Sequence, residues 1–197
     1  MFDHLHELDQ DITLWINSIH YWISDDIWVM FSSKTVWIPF YLILIAFIWL
    51  RMGWRKALVI YSAIILTILF GDQLSNMLKH AVGRLRPCYD MDMLGGGLRI
   101  LESKGGYYGF YSSHASNAFG LAAASVIAFR NDKTHTYRTY AVCVYIWALL
   151  VATSRIFVGK HYFGDVLVGS FVGILFGTVI SLAANYLIGK YIVKEKR

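Results

Sequence analysis

The chain has 197 residues, 57% of them hydrophobic and 16% aromatic, with only 16% charged, where soluble domains carry nearer a quarter of charged residues. Several apolar runs approach the ~20 residues that cross a bilayer as a helix, which excludes an ordinary soluble domain and marks an integral membrane protein. The formal net charge of +5 is therefore no nucleic-acid signal, and its meaning lies in where the lysines and arginines fall.

The first residues carry Asp3, Glu7, Asp9 and Asp11 and no basic n-region, so they do not read as a cleavable signal. Residues 8–24 place Leu8, Ile12, Trp15, Ile16 and Ile19 at helical spacing among polar residues, the pattern of an amphipathic helix in the membrane interface. Residues 26–33 continue it, and Trp15, Trp22, Trp28 and Trp37 suit an aromatic belt. The first clear span is residues 36–50, with Pro39 in its first turn, where a missing N–H costs nothing. The second is 57–78, with Asp72, Gln73 and Asn76 in its last half. A polar, glycine-rich segment runs from Lys79 to about Ser112. Further spans follow at 114–129, 139–154 and 162–189. A sixth, weaker crossing could run through 12–33. The expectation is one all-α domain, 1–197, a bundle of five or six transmembrane helices with an interfacial N-terminal helix. Cys88 sits in a polar loop and Cys143 in an apolar run, so both read as unpaired thiols without metal-site spacing.

The turns at 51–56 and 130–138 and the tail (Lys190, Lys194, Lys196, Arg197) are short and basic. The positive-inside rule puts them in the cytoplasm. Counting crossings then brings the other span ends together on the outer side: Lys79 and Arg86 after the second span, Ser112, Ser113 and His114 before the third, Arg155 after the fourth, and His161 and Asp165 at the start of the fifth. Cations, hydroxyls and the free N–H groups of a helix start make an anion site. Arginines can clamp phosphate oxygens and stabilise the charge that develops in transfer. His161 and Asp165 stand four apart, one turn on a helix, so the carboxylate can fix the imidazole tautomer and leave the other nitrogen to attack. The chemistry that follows is phosphoryl transfer to His161, with His114 protonating the leaving oxygen and then activating water. No carboxylate cluster is present to hold magnesium and no Cys/His pattern to hold zinc, so neither metal nor cofactor is expected.

These residues resemble the three-part signature of the type 2 phosphatidic acid phosphatase superfamily, which is related to the vanadium haloperoxidases. Lys79…Arg86-Pro87 matches K-x6-R-P. Tyr111-Ser112-Ser113-His114 matches P-S-G-H loosely, with tyrosine for proline and serine for glycine. Ser154-Arg155…His161…Asp165 matches S-R-x5-H-x3-D in full. The resemblance implies His161 as nucleophile, Asp165 as its partner, His114 as the acid, and Lys79, Arg86, Ser112, Ser113 and Arg155 as phosphate ligands. If the replaced glycine serves as a backbone N–H donor, Ser113 keeps that role; if it needs a positive φ, Ser113 strains that turn.

The expected activity is hydrolysis of a membrane lipid phosphate or diphosphate, with undecaprenyl diphosphate, a lipid A phosphate and glycerophospholipid phosphates as candidates. The expected partners are that lipid and the bilayer, with no nucleic acid and no obligate protein partner. The expected location is a bacterial inner membrane, with the site facing the periplasm. A transferase using the same phosphohistidine, and a lipid-anion binding or transport protein without chemistry, are the alternatives. Arg84, Arg99 and Lys104 read as solvated loop charges or headgroup contacts. Asp72 reads as a bundle pair or a wall of the site, and residues 95–106 as a lid.

Overall fold

Long apolar runs interrupted by glycine and polar turns fold as helices that satisfy their own backbone, the arrangement a bilayer imposes. The computed structural model describes residues 2–19 and 24–193; Trp22 and the tail residues Lys194, Lys196 and Arg197 lie outside them. Helices α1 (Phe2–Ser18) and α2 (Ser24–Ser32) lead into α3 (Ile38–Met52) and α4 (Trp54–Val82). A loop holding the short α5 (Met91–Gly95) follows, then α6 (Ser113–Ala128), α7 (Arg138–Phe157) and α8 (Phe163–Leu187), whose last residues, Ile188–Val193, widen to a π-type turn. Among the described residues there is no strand, only an isolated bridge between Leu85 and Tyr108.

Four segments are long and apolar enough to cross a membrane: Thr35–Met52, Trp54–Val82, Arg138–Phe157 and Phe163–Val193. The other expected crossing is α6. It has 16 residues, 11 of them buried, and stands at the centre against α4, α7 and α8. Its position explains its alanine-, serine- and glycine-rich composition, since small residues let helix backbones approach closely in a membrane. Gly169, Gly173 and Gly177 line the facing side of α8, and a Cβ on Gly173 would overlap the carbonyl of Ser116. The outward surface is the apolar one: Leu42, Ile43 and Leu50 of α3 and Phe171 of α8 are all exposed, as a lipid-facing surface demands.

The two ends of the bundle differ. At one end Arg51 pairs with Asp132 at 2.7 Å, with Tyr137 and Thr134 around the same carboxylate, so the two basic turns meet there. All the candidate site residues lie at the other end, as the count of crossings requires.

Helix α1 is inverted relative to a soluble amphipathic helix. Leu5, Leu8 and Trp15 are exposed, while Thr13 and Asn17 are fully buried. Asn17 donates to the carbonyls of Ile156 (3.0 Å) and Phe157 (2.9 Å) and accepts from the Arg99 N–H (2.8 Å). The polar stripe Asp9–Thr13–Asn17, four residues apart, thus grips the protein while the apolar face turns to the interface. Trp28 stacks on Phe157 at 4.0 Å, and Trp37 packs on Phe31 and Trp147. Those two rings serve the bundle; Trp15 is the one turned outward.

Candidate active site

The site is built on the corner between α7 and α8. α7 closes with the N–H groups of Lys160 and His161 both donating to the Arg155 carbonyl, at 3.0 and 3.2 Å. α8 opens with Tyr162 as N-cap and Asp165 three residues later in a capping box, the carboxylate accepting from the Tyr162 N–H at 3.2 Å. The same carboxylate faces the ring of His161, with Oδ2 3.4 Å from Nδ1. The helix cap and the contact with His161 therefore share one side chain. His161 is 2% exposed and Asp165 is completely buried.

Burial, reinforced by the cations Arg155, Arg86 and Lys79, holds the His161 imidazole well below the ordinary histidine range. The folded-state value is depressed, so the unfolded chain takes up this proton first as pH falls. The shift favours the neutral ring, the form a nucleophilic imidazole requires. The acid limb of kcat/KM should fall well below pH ~6.5, where an unperturbed histidine titrates, and thermal stability should decline as pH drops through that value. A pH–rate profile alongside thermal unfolding at each pH checks this; an acid limb centred at 6.5 or above would contradict it.

Asp165 does not stand alone. Arg84 donates to its Oδ1 at 3.1 Å and to Asp9 Oδ2 of α1 at 2.7 Å, with the guanidinium over the Tyr162 ring at 3.8 Å. The assignment of Arg84 to solvated loop charge is thereby corrected: two carboxylates and an aromatic face hold it inside the site. Arg99 is likewise engaged, in an ion pair with Asp25. α1 supplies the first N–H groups of α8 with acceptors, since Gly164 donates to Asp9 Oδ1 (2.7 Å) and Phe163 to Thr13 Oγ1 (3.0 Å). Such orphan groups at a helix start are usually capped locally. Here a helix some 150 residues earlier in the chain caps them.

The anion-binding groups gather around this pair. Ser112 is the N-cap of α6, and its backbone N–H donates to the Asp165 carbonyl at 3.0 Å, tying the two helix starts together. Ser113 is helical, with no positive φ at any non-glycine residue described, so replacing glycine there costs no strain. Its hydroxyl accepts from Lys79 Nζ at 2.9 Å and contacts Ser75 at 2.8 Å. Tyr111, in the place of proline, is fully buried with its hydroxyl on the Gly71 carbonyl at 2.8 Å. Arg155 is 4% exposed; its Nη1 reaches Ser32 and, at 3.4 Å, Glu102, while Nε is buried without a partner. An orphaned guanidinium N–H at this place suits a ligand oxygen. Arg86 uses Nε on the Tyr108 carbonyl (3.1 Å). Its strand-like neighbours clasp residues 107–109: Arg86 N donates to Tyr107 O (2.8 Å) and Gly109 N to Arg84 O (2.9 Å). This segment passes so close that a Cβ on Gly109 would come within 3.0 Å of Asp165 Oδ2.

His114 sits in the first turn of α6 and lines a groove of about 580 Å³. Lys34, Asp72 and Asn117 line it too, and Trp37, Leu44, Ile48 and Leu121 give it apolar surface. Asp72 accepts from Asn117 at 3.0 Å, a pair within the bundle, and also lines the groove.

The sequence agrees with this architecture. Residues 56–188 match the model of the PAP2 superfamily, and the chain belongs to that family. It is 32% identical over 189 residues to a lipid A 4'-phosphatase of Bacteroides thetaiotaomicron, covering 95% of this chain and 81% of that one. It is 29% identical to a lipid A 4'-phosphatase of Porphyromonas gingivalis, covering 89% and 72%. The crystal structure of Aquifex aeolicus LpxE superposes with a TM-score of 0.67 at 22% identity, covering 88% of this chain and 93% of that one. That of a transmembrane PAP2 type phosphatidylglycerolphosphate phosphatase from Bacillus subtilis superposes with 0.68 at 18% identity, covering 95% and 88%. The protein is an integral membrane protein of this fold.

Proposed function

We propose that the protein is a lipid phosphatase that hydrolyses a phosphate monoester of a lipid A-type glycolipid through a phosphohistidine at His161, in a bacterial inner membrane with the site facing the periplasm. The observation that carries the lipid reading is the groove. It starts at His114, beside the cation cluster, and continues as apolar wall between α3, α4, α6 and α7. A headgroup seated at the cations would leave an acyl chain in that groove. The names of the relatives support the choice of lipid, and the basic turns at the opposite end support the orientation.

In the first half-reaction the free nitrogen of His161 attacks phosphorus, the bond to the lipid oxygen breaks, and His114 gives that oxygen a proton. In the second, water attacks phosphorus as His114 takes its proton, and the N–P bond breaks to release inorganic phosphate. Lys79, Arg86, Arg155 and the start of α6 hold the non-bridging oxygens. Asp165 keeps the imidazole in one tautomer and stabilises the charge it gains.

Purified protein in detergent should release phosphate from 4'-phosphorylated lipid A with kcat/KM at least ~100-fold above that for a water-soluble short-chain phosphomonoester, because remote binding energy is used at the reacting centre. Equal efficiency on both would remove the role of the groove. Efficient turnover of a glycerophospholipid phosphate with none of lipid A would redirect the substrate.

A further inference from the structure

Lys160 directly precedes the nucleophile and belongs to none of the three motifs. It is 4% exposed. Among the described residues no carboxylate lies within ion-pair distance of its ammonium and no hydrogen-bond acceptor meets it. The side chain is buried but its ammonium is not fully enclosed, so the charge faces open space where a protein carboxylate would ordinarily stand. The charged groups around it are Arg86, Arg155 and Glu102, and the Cys88 thiol beside them is held neutral by burial. Glu102 is already shared with Arg155 at 3.4 Å, so the surroundings of Lys160 hold more cation than anion. Burial, with Arg155 and Arg86 adding to it, presses the Lys160 amine below its ordinary range, the direction expected of a cation waiting for a counter-charge.

The position of the amine is set by Gly105, in the lid, whose φ is +69°. The point where a Cβ on Gly105 would stand is 3.6 Å from Lys160 Nζ and 3.8 Å from Arg86 Nη1. The two cations therefore flank one small space beneath the lid. Arg86 spends its Nε on Tyr108 and keeps its Nη groups free of protein acceptors among the described residues. Two like charges facing one gap repel each other until an anion enters it, and phosphate is the anion this end of the bundle is built to receive.

We propose that Lys160 and Arg86 together hold non-bridging oxygens of the phosphoryl group at His161, which makes Lys160 a phosphate-binding residue of this chain beyond the family signature. The proposal rests on the reading of the site as a phosphate site, though not on which lipid carries the phosphate. It also gives the lid a role, since Gly105 leaves open the space in which the phosphate meets both cations.

The test is titration of the detergent-solubilised full chain with inorganic phosphate and with vanadate by calorimetry. Lys160→Met should weaken both at least tenfold, and Lys160→Arg should restore most of the affinity. At residue 105, aspartate and asparagine both tolerate positive φ better than other side chains. Gly105→Asp would place a tethered carboxylate between the cations, so its phosphate affinity should be at least tenfold below that of Gly105→Asn. This second pair differs only in charge, so it decides the matter even if Lys160→Met fails to fold. Wild-type affinity in Lys160→Met, equal affinities in the two residue-105 variants, or no phosphate binding by the wild type would each overturn the proposal. If phosphate binding depends on Lys160 while no lipid phosphate is turned over, the proposed activity fails and this inference stands.

Discussion

His161→Ala abolishes turnover, lowering kcat by about 10⁴-fold or more, the scale seen when a nucleophile that acts as one unit with its partners is removed. The expectation follows from the geometry. The imidazole is buried at the α7–α8 corner with Asp165 on one nitrogen, and burial and three cations oppose its protonation, which favours the neutral ring. His114, the other candidate histidine, has no carboxylate within ion-pair distance among the described residues, where His161 has Asp165 at 3.4 Å. The variant should still bind inorganic phosphate, because Lys79, Arg86 and Arg155 remain. Phosphate release from lipid, measured in detergent beside calorimetric phosphate binding, checks both halves. Retained turnover would end the nucleophilic role of this residue.

Arg84→Met should lower kcat by about 100-fold, within the range by which outer-shell partners of a reacting group act, while leaving KM almost unchanged. It should also cost about 3 kcal/mol or more of stability, since one partner of a largely buried ion network is removed and the carboxylates remain. Asp165 is fully buried and its Oδ1 is held by Arg84 at 3.1 Å; Asp9 is held by the same guanidinium at 2.7 Å. Without Arg84 the cheapest response of Asp165 is to take up a proton, and a protonated acid no longer stabilises an imidazole that becomes positively charged at the transition state. Because Asp9 also caps Gly164, the first turn of α8 loosens too. Arg84→Lys should recover part of the stability but little of the rate, because an ammonium cannot bridge two carboxylates with the geometry of a guanidinium. The kcat–KM split and the melting temperature of both variants decide this. A rise in KM at constant kcat would make Arg84 a substrate ligand instead of a positioning residue.

The two classes of residue differ in how visible they are in the sequence. The long spans and the gathering of the polar residues at one end were legible because length, apolarity and the placement of basic turns are properties of local sequence. The candidate residues His161, Asp165, His114, Lys79, Arg86, Arg155, Ser112 and Ser113 were legible from their spacing in three motifs, and the structure brings them to the same end of the bundle. Arg84 was not, because its neighbours Gly83, Leu85 and Arg86 give no sign that its partners lie 81 and 75 residues away. Residues 8–24 read as an amphipathic interfacial helix, whereas α1 runs Phe2–Ser18, and the periodicity did not say which part of the protein its polar stripe would touch. In a membrane protein the apolar face meets lipid, so the polar face becomes the one that binds the protein. A signal was present: Asp9, Thr13 and Asn17 recur every four residues, closer to a designed contact than to random solvation. Ser113 shows the reverse case, where a departure from the family pattern looked like strain and is an ordinary helical residue whose hydroxyl holds Lys79.

The central claim is a covalent phosphate on His161, and single-turnover labelling quenched in alkaline detergent tests it most directly. The protein is mixed with ³²P-labelled lipid phosphate, denatured within the first turnover, digested and mapped. The account predicts label that is stable to base and lost in acid, on the peptide containing His161, absent from His161→Ala and lengthened in lifetime when water attack is slowed. Base-labile label on another residue, or full phosphate release with no labelled protein at any time point, would contradict it.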